Sequence, residues 1–235
     1  GAADLLTVRA VRLINSSPVC VYAGTYVDDD ILAHCPAGAS LIDSSRLSLD
    51  QISEHMITAT GSGQDVARLC SGDPSLYSAL AEQGRRLDRA GVSWDVTPGV
   101  PAYAAAAALV GRELTVPEVA QTVILTRTQA ASTAMPDTES LAYLAGSRST
   151  LVLHLAIRRI RALATELTDA YGPDCPVLVV ADASKPTELV LRGRLDEIAG
   201  QVEQAGLRQA AVIIVGWALD ADGFPESHLY RSRAR

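Results

Sequence analysis

The stretch Val66-Ala67-Arg68-Leu69-Cys70-Ser71-Gly72-Asp73-Pro74-Ser75-Leu76-Tyr77 passes from a strand pattern, through three consecutive turn formers, into a helical pattern. Val66 to Cys70 reads as a strand, and Leu76 to Ala90 as a helix that stops at Gly91. Asp73 can cap that helix, and Pro74 fits a first turn, where no backbone donor is needed. Gly72 lets the backbone bend, or lets a ligand approach closely. A single junction of this kind reads first as a well-made helix start. The pattern recurs, however. Ser93 to Thr97 reads as a strand, and Thr97-Pro98-Gly99-Val100-Pro101-Ala102 leads from it into an alanine-rich helix spanning Ala102 to Val110. In open α/β sheets ligands sit outside the carboxyl ends of the strands. Two bare, rigid loops there make a shallow bed of backbone donors and acceptors, which suits an adenosine-type ligand.

Outward from these loops, strand-like and helical runs alternate. Val19 to Tyr22 is a short apolar run, and Leu49 to Thr60 carries Leu49, Ile52, Met56 and Ile57 on one helical stripe. Beyond residue 118 the spacing predicts strands at Thr122–Leu125, Leu151–Leu155, Val177–Val180, Glu188–Leu191 and Ala211–Val215. Helices are expected at Glu139–Ala145, Ile157–Tyr171 and Leu195–Ala205. The fold class is therefore α/β. Two halves of similar size imply an N-terminal domain 1–112, a linker 113–118 with charge and a proline, and a C-terminal domain 119–235. The opening Gly1 to Val8 reads as a loop entering a helix. Because an α/β domain normally opens with a strand, the first strand is expected to be missing.

Composition narrows the function. The chain has 235 residues, 48% of them hydrophobic, enough for a buried core. Its net charge of −7 lacks the basic footprint of nucleic-acid binding. No apolar run reaches membrane-span length. Cys20, Cys35, Cys70 and Cys175 are scattered, as expected of reduced thiols in a cytoplasmic protein. His34, His55, His154 and His228 lack metal-ligand spacing, and only His154 ends a strand on the expected binding side. There is no G-x-G-x-x-G after a strand, no P-loop and no G-x-S-x-G.

The SGDPSLY and TPGVPA loops, the segment from Leu114 to Arg127 (LTVPEVAQTVILTR) and the tail from Gly223 to Tyr230 (GFPESHLY) resemble the tetrapyrrole methylases over essentially the whole chain. The first two motifs are shared across the superfamily. The LTVPE…QTVILTR segment and the ESHLY tail resemble the branch acting on carbon 11 of precorrin-4 in cobalamin biosynthesis. The resemblance implies two α/β domains, each a mixed sheet flanked by helices, and a homodimer. It also implies S-adenosyl-L-methionine in the inter-domain cleft, leaving as S-adenosyl-L-homocysteine.

Carried over by motif, the methyl-donor contacts are Ser71, Gly72, Asp73 and Leu76 from the first loop and Pro101 and Ala102 from the second. Leu155 and Ala183 join them from the other half. The sequence departs from the family in three places: only Gly1 stands for the opening G-x-G-P-G loop, Ser78 replaces a glycine, and Lys185 replaces a tryptophan. Transfer from a sulfonium needs positioning and water exclusion more than a triad. Asp73 and Tyr77 are the side chains placed to assist proton loss, with Asp73 read first as cap and ligand contact. Arg127, Arg158 and Arg159 are the expected contacts to an anionic tetrapyrrole. Equally open, Arg158, Arg159 and Arg161 form a solvated helix face. The alternatives are a sister methylase acting on another precorrin or on uroporphyrinogen III, and an inactive fragment that binds the donor.

Overall fold

The computed structural model describes residues 1–128 and 134–227, which fall into two compact units, Gly1–Ala102 and Tyr103–Arg235. His228 and the Leu229-Tyr230 end of the tail lie outside the described residues.

In the first unit a helix α1 (Val8–Ser16) is capped by Thr7, whose hydroxyl accepts from the Ala10 amide at 3.2 Å. Three parallel strands follow: β1 (Val19–Tyr22), β2 (Ser40–Asp43) and β3 (Val66–Arg68), in the order β2-β1-β3. A short α2 (Asp29–Leu32) joins the first two, and α3 (Leu49–Gly61) joins the second to the third. Parallel neighbours need such crossovers. At the start of α3 the Ser48 hydroxyl accepts from the Gln51 amide, and the Gln51 side chain accepts from the Ser48 amide, a reciprocal cap. Ile52 and Met56 of α3 and Leu87 of α4 (Leu80–Arg89) pack on Val19 and Val21. Gly99 to Ala102 then leads into α5 (Ala102–Leu109).

The structure departs from the sequence pattern at two places. The helix after SGDPSLY starts at Leu80, not Leu76, and its N-cap is Ala79 with a left-handed φ of 56° and no side-chain cap. Asp73 caps nothing, because its carboxylate is engaged elsewhere in the loop. Ser93–Thr97 is not a strand among the described residues. Its Trp94 indole lies over α4, where a Cβ on Gly84 would meet the ring at 2.6 Å, and its Nε1 donates to Asp88 at 2.8 Å. Side-chain anchoring holds this segment in place of a ladder.

The second unit holds a five-stranded sheet. Its strands are β4 (Val123–Arg127), β5 (Thr150–His154), β6 (Pro176–Ala181), β7 (Leu189–Arg194) and β8 (Ala211–Val215), ordered β4-β5-β8-β6-β7. β4 and β5 are parallel, whereas β8 runs antiparallel between β5 and β6. So β4, β5 and β6 point the same way. Alternate side chains take opposite faces. Leu151, Leu153, Val177, Val179, Ile213 and Val215 meet α7 (Ile160–Tyr171) and α8 (Ile198–Gln204), while α6 (Leu141–Ala145) adds Ala145 to the same cluster. Val152, Leu178, Val180, Val212 and Ile214 meet Ala106 and Ala107 of α5, with Leu114 and Leu219. Burial on both faces explains why these strands read as unbroken apolar runs. Leu114 and Val116 are buried, and the Leu114 carbonyl accepts from the Thr150 hydroxyl at 2.8 Å.

Candidate functional site

β3 ends where the first glycine loop begins. Gly72 has a φ of 69°, which an L side chain rarely adopts. Tyr77 and Ala79 also have positive φ, at 54° and 56°, a strained backbone of the sort that collects at functional sites. The second loop folds directly onto the first. A Cβ placed on Gly99 would lie 2.1 Å from the Gly72 carbonyl oxygen, so only glycine allows the contact. Asp73 ties the two together. Its Oδ2 accepts from the Gly99 amide at 2.9 Å. Its Oδ1 accepts from the Ser75 amide at 2.8 Å and from the Ser75 hydroxyl. These bonds, the Ser75 hydroxyl first and then the Gly99 amide, hold the Asp73 carboxyl below its ordinary value of 3.8. The loops are thus latched through a carboxylate that is ionised at neutral pH.

The expected donor contacts of this unit converge. Gly72 lies 3.5 Å from the Pro101 Cα and 3.6 Å from the Ala102 amide, measured from where its Cβ would be. Ser71, Val100 and Ala102 are exposed, and Gly72, Leu76 and Pro101 are half-buried. The surface they offer is backbone and small side chains. Such a surface lets a ligand approach the backbone closely.

In the second unit the carboxyl ends of β4, β5 and β6 lie along one edge, and the expected residues follow them. Arg127 ends β4, and its guanidinium donates to the carbonyls of Thr128 and Ala134 at 3.3 and 3.4 Å. His154 ends β5, and burial lowers its pKa below 6.5, leaving a neutral imidazole at neutral pH. Leu155 comes next, with a φ of 54° and 72% exposure. A leucine that is both strained and solvent-facing has no packing reason to be so. Ala183 follows β6 between two more left-handed residues, Asp182 (φ 48°) and Ser184 (φ 69°). That turn is held by the Asp182 amide on the Ala210 carbonyl at 3.2 Å and by the Ser184 amide on the Glu188 carboxylate at 2.7 Å.

Arg158 and Arg159 fall in a 3-10 turn ahead of α7 and are exposed. Arg158 donates to the Arg208 carbonyl at 3.1 Å, and Arg161 pairs with Glu203 at 2.8 Å. They line a groove between the start of α7 and the end of α8, with Leu207 and Arg208. No disulfide joins the four cysteines, and no cluster of metal-ligating side chains occurs among the described residues.

Sequence reading missed a second latch. Asp43, at the end of β2, accepts through Oδ1 from the Gly24 amide at 3.0 Å and from the Ser45 amide at 2.9 Å, and also from the Ser45 hydroxyl. Asp43-Ser44-Ser45 repeats the spacing of Asp73-Pro74-Ser75. An Asp-x-Ser directly after a strand was the available signal.

A family model of the Tetrapyrrole (Corrin/Porphyrin) Methylases matches residues 1–199. The chain belongs to the tetrapyrrole methylase family. A curated relative from Rhodococcus erythropolis, named precorrin-4 C(11)-methyltransferase, is 58% identical over 98% of this chain and 92% of its own length. Among solved structures, a cobalt precorrin-4 methyltransferase of cobalamin biosynthesis superposes with a TM-score of 0.90 at 34% identity, covering 94% of this chain and 92% of that one. A uroporphyrin-III C-methyltransferase from Thermus thermophilus, complexed with S-adenosyl homocysteine, gives 0.76 at 28% identity, covering 92% and 93%. The α/β architecture, with its two sheets, is that of tetrapyrrole methylases.

Proposed function

We propose that this tetrapyrrole methylase transfers a methyl group from S-adenosyl-L-methionine to carbon 11 of precorrin-4 in cobalamin biosynthesis. The observation that carries the reading is the latched glycine pair. Gly72 and Gly99 meet at backbone distance under the Asp73 carboxylate, in a chain 58% identical to a protein named for that activity. Relatives named for the cobalt-bearing substrate are 34–37% identical, against 58% for one named without cobalt, which favours the metal-free acceptor.

The donor supplies a methyl on a sulfonium, which an electron-rich ring carbon takes by in-line displacement, leaving the sulfide and releasing one proton from the ring. The chain has to hold both reactants in line and keep water out. Ser71, Gly72, Asp73, Leu76, Pro101 and Ala102 are the proposed donor contacts in the first unit, and Leu155 and Ala183 those in the second. Of the two side chains proposed for proton loss, Asp73 has both oxygens committed and a depressed pKa, which makes it a weak base. We assign it to holding the loops, and the ring proton leaves to solvent, with the Tyr77 hydroxyl proposed as a relay. Arg127, Arg158 and Arg159 are the proposed contacts to the acceptor's carboxylates.

The reading extends to a cytoplasmic homodimer with residues 113–118 as the joint between domains 1–112 and 119–235, seated on the second unit by Leu114 and Val116. No helix among the described residues is long and apolar enough to cross a membrane. Light scattering tests the dimer, and limited proteolysis tests the joint. The activity is tested with methyl-labelled donor and precorrin-4, with and without cobalt. The expected product carries one labelled methyl on carbon 11 of the cobalt-free ring. Labelling elsewhere, or transfer to uroporphyrinogen III instead, overturns the assignment.

A further inference from the structure

Beneath the first glycine loop lies a polar pair that none of the chemistry above uses. Arg68 is the last residue of β3, and its guanidinium turns inward. Nη1 donates to the carbonyls of Val21 (3.3 Å) and Leu69 (3.1 Å), and Nε donates to the Gln83 side-chain oxygen at 3.1 Å. Gln83, on α4, is 5% exposed. Its Nε2 donates to the carbonyls of Ser78 (3.0 Å) and Ala79 (3.1 Å). Leu69 opens the loop, and Ser78 and Ala79 end it. One arginine–glutamine contact therefore closes the neck of the loop spanning residues 69–79.

This arrangement is costly to keep for packing alone. Among the described residues no carboxylate pairs with Arg68, and burial lowers its pKa. The carbonyls that Gln83 holds adjoin strained backbone, with Tyr77 and Ala79 both at positive φ. The Ser78 hydroxyl adds a bond to the Pro74 carbonyl within the same loop. A loop of side-chain-poor backbone has little packing of its own to keep this shape. A neck tie supplies it.

We propose that Arg68 and Gln83 are positioning residues for the methyl donor, holding the 69–79 loop in its binding shape by clamping both of its ends. The inference rests on the donor-binding reading of that loop. Its test is Gln83→Glu in the whole chain. The variant keeps the shape and an acceptor for Arg68 but cannot donate to Ser78 or Ala79. Titration calorimetry with S-adenosyl-L-homocysteine is expected to show at least about a tenfold weaker Kd, from two lost hydrogen bonds. KM for the donor rises by a similar factor, while kcat at saturating donor stays within about threefold. A role in stability alone would lower Tm and leave Kd in place, so unchanged Kd in a variant with wild-type circular dichroism overturns the proposal. Should that variant not fold, Gln83→Met, similar in size and without polar atoms, is measured by the same criteria. If the wild-type chain itself fails to bind S-adenosyl-L-homocysteine, the functional reading fails and the proposal falls with it. If wild type binds and the variant binds equally, only the neck clamp fails.

Discussion

Replacing Gly99 with alanine should separate the two loops proposed as the donor seat. The added Cβ would sit 2.1 Å from the Gly72 carbonyl oxygen, 3.2 Å from its carbonyl carbon and 3.7 Å from the Asp73 Cα. All three are backbone atoms, so no flexible side chain can swing aside. Reaching even 3.0 Å requires the loops to part by about 0.9 Å. That movement stretches the bond from the Gly99 amide to Asp73, now 2.9 Å, beyond hydrogen-bonding range. A displacement of about 1 Å at a positioning element can cost about a hundredfold in rate, or roughly 2.7 kcal/mol of transition-state binding. Overpacking adds about 1–3 kcal/mol of lost stability. Gly99→Ala is thus expected to be a folded protein with a lower Tm, about a hundredfold lower kcat/KM for the donor, and weakened S-adenosyl-L-homocysteine binding by calorimetry. A variant that folds, binds S-adenosyl-L-homocysteine within threefold of wild type and turns over normally would refute the claim that these loops are the seat.

Gly72→Val forces a branched side chain onto a φ of 69° and should abolish donor binding, with Gly72→Ala intermediate; binding by calorimetry and Tm by calorimetric melting separate the two effects. The Asp73 latch has a definite pH dependence. Because its folded pKa lies below 3.8, the latch is complete above that pH and is lost as pH falls through the folded value. Donor affinity should be flat from neutral pH down to about 5 and drop only in stronger acid. Asp73→Asn should bind more weakly at neutral pH and lack that acid limb. Tyr171 serves as a control far from the donor loops in sequence. Its hydroxyl donates to the buried Ser149 carbonyl at 2.6 Å, so Tyr171→Phe should cost about 1–3 kcal/mol of stability without changing the donor Kd. Burial raises its pKa to about 12, so wild type should lose stability as pH rises above 10, and the phenylalanine variant should lack this loss.

Much of the fold was legible because its second sheet is buried on both faces. Apolar runs such as Val177–Val180 and Ala211–Val215 have only one sensible reading, and the helix stripe Ile160, Leu163, Ala164, Leu167, Tyr171 is buried as its spacing implies. Direction was not legible. Nothing in Ala211–Val215 says that it runs antiparallel between two parallel strands, because a strand's side-chain period is the same either way. Short elements were lost too: Ser40–Asp43 is a real strand with no buried residue, and Leu41-Ile42 alone is too short an apolar run to mark it. Ser93–Thr97 has the alternation of a strand, yet its Trp94 is fixed by Asp88 and Gly84. At the loops, one residue does a different structural job from the one its sequence suggests. An Asp-Pro after a strand reads as a helix start, and the carboxylate instead reaches twenty-six residues ahead to Gly99. Gln83 was invisible for a similar reason, since a glutamine in an α4 with arginine and glutamate around it reads as surface, and only the fold shows it 5% exposed.

The most direct measurement is a crystal structure of this chain with S-adenosyl-L-homocysteine bound. The account predicts nucleoside density against the backbone of Gly72, Pro101 and Ala102, with Asp73 still bonded to the Gly99 amide. Ligand bound away from both glycine loops, with those loops undisturbed, would contradict it.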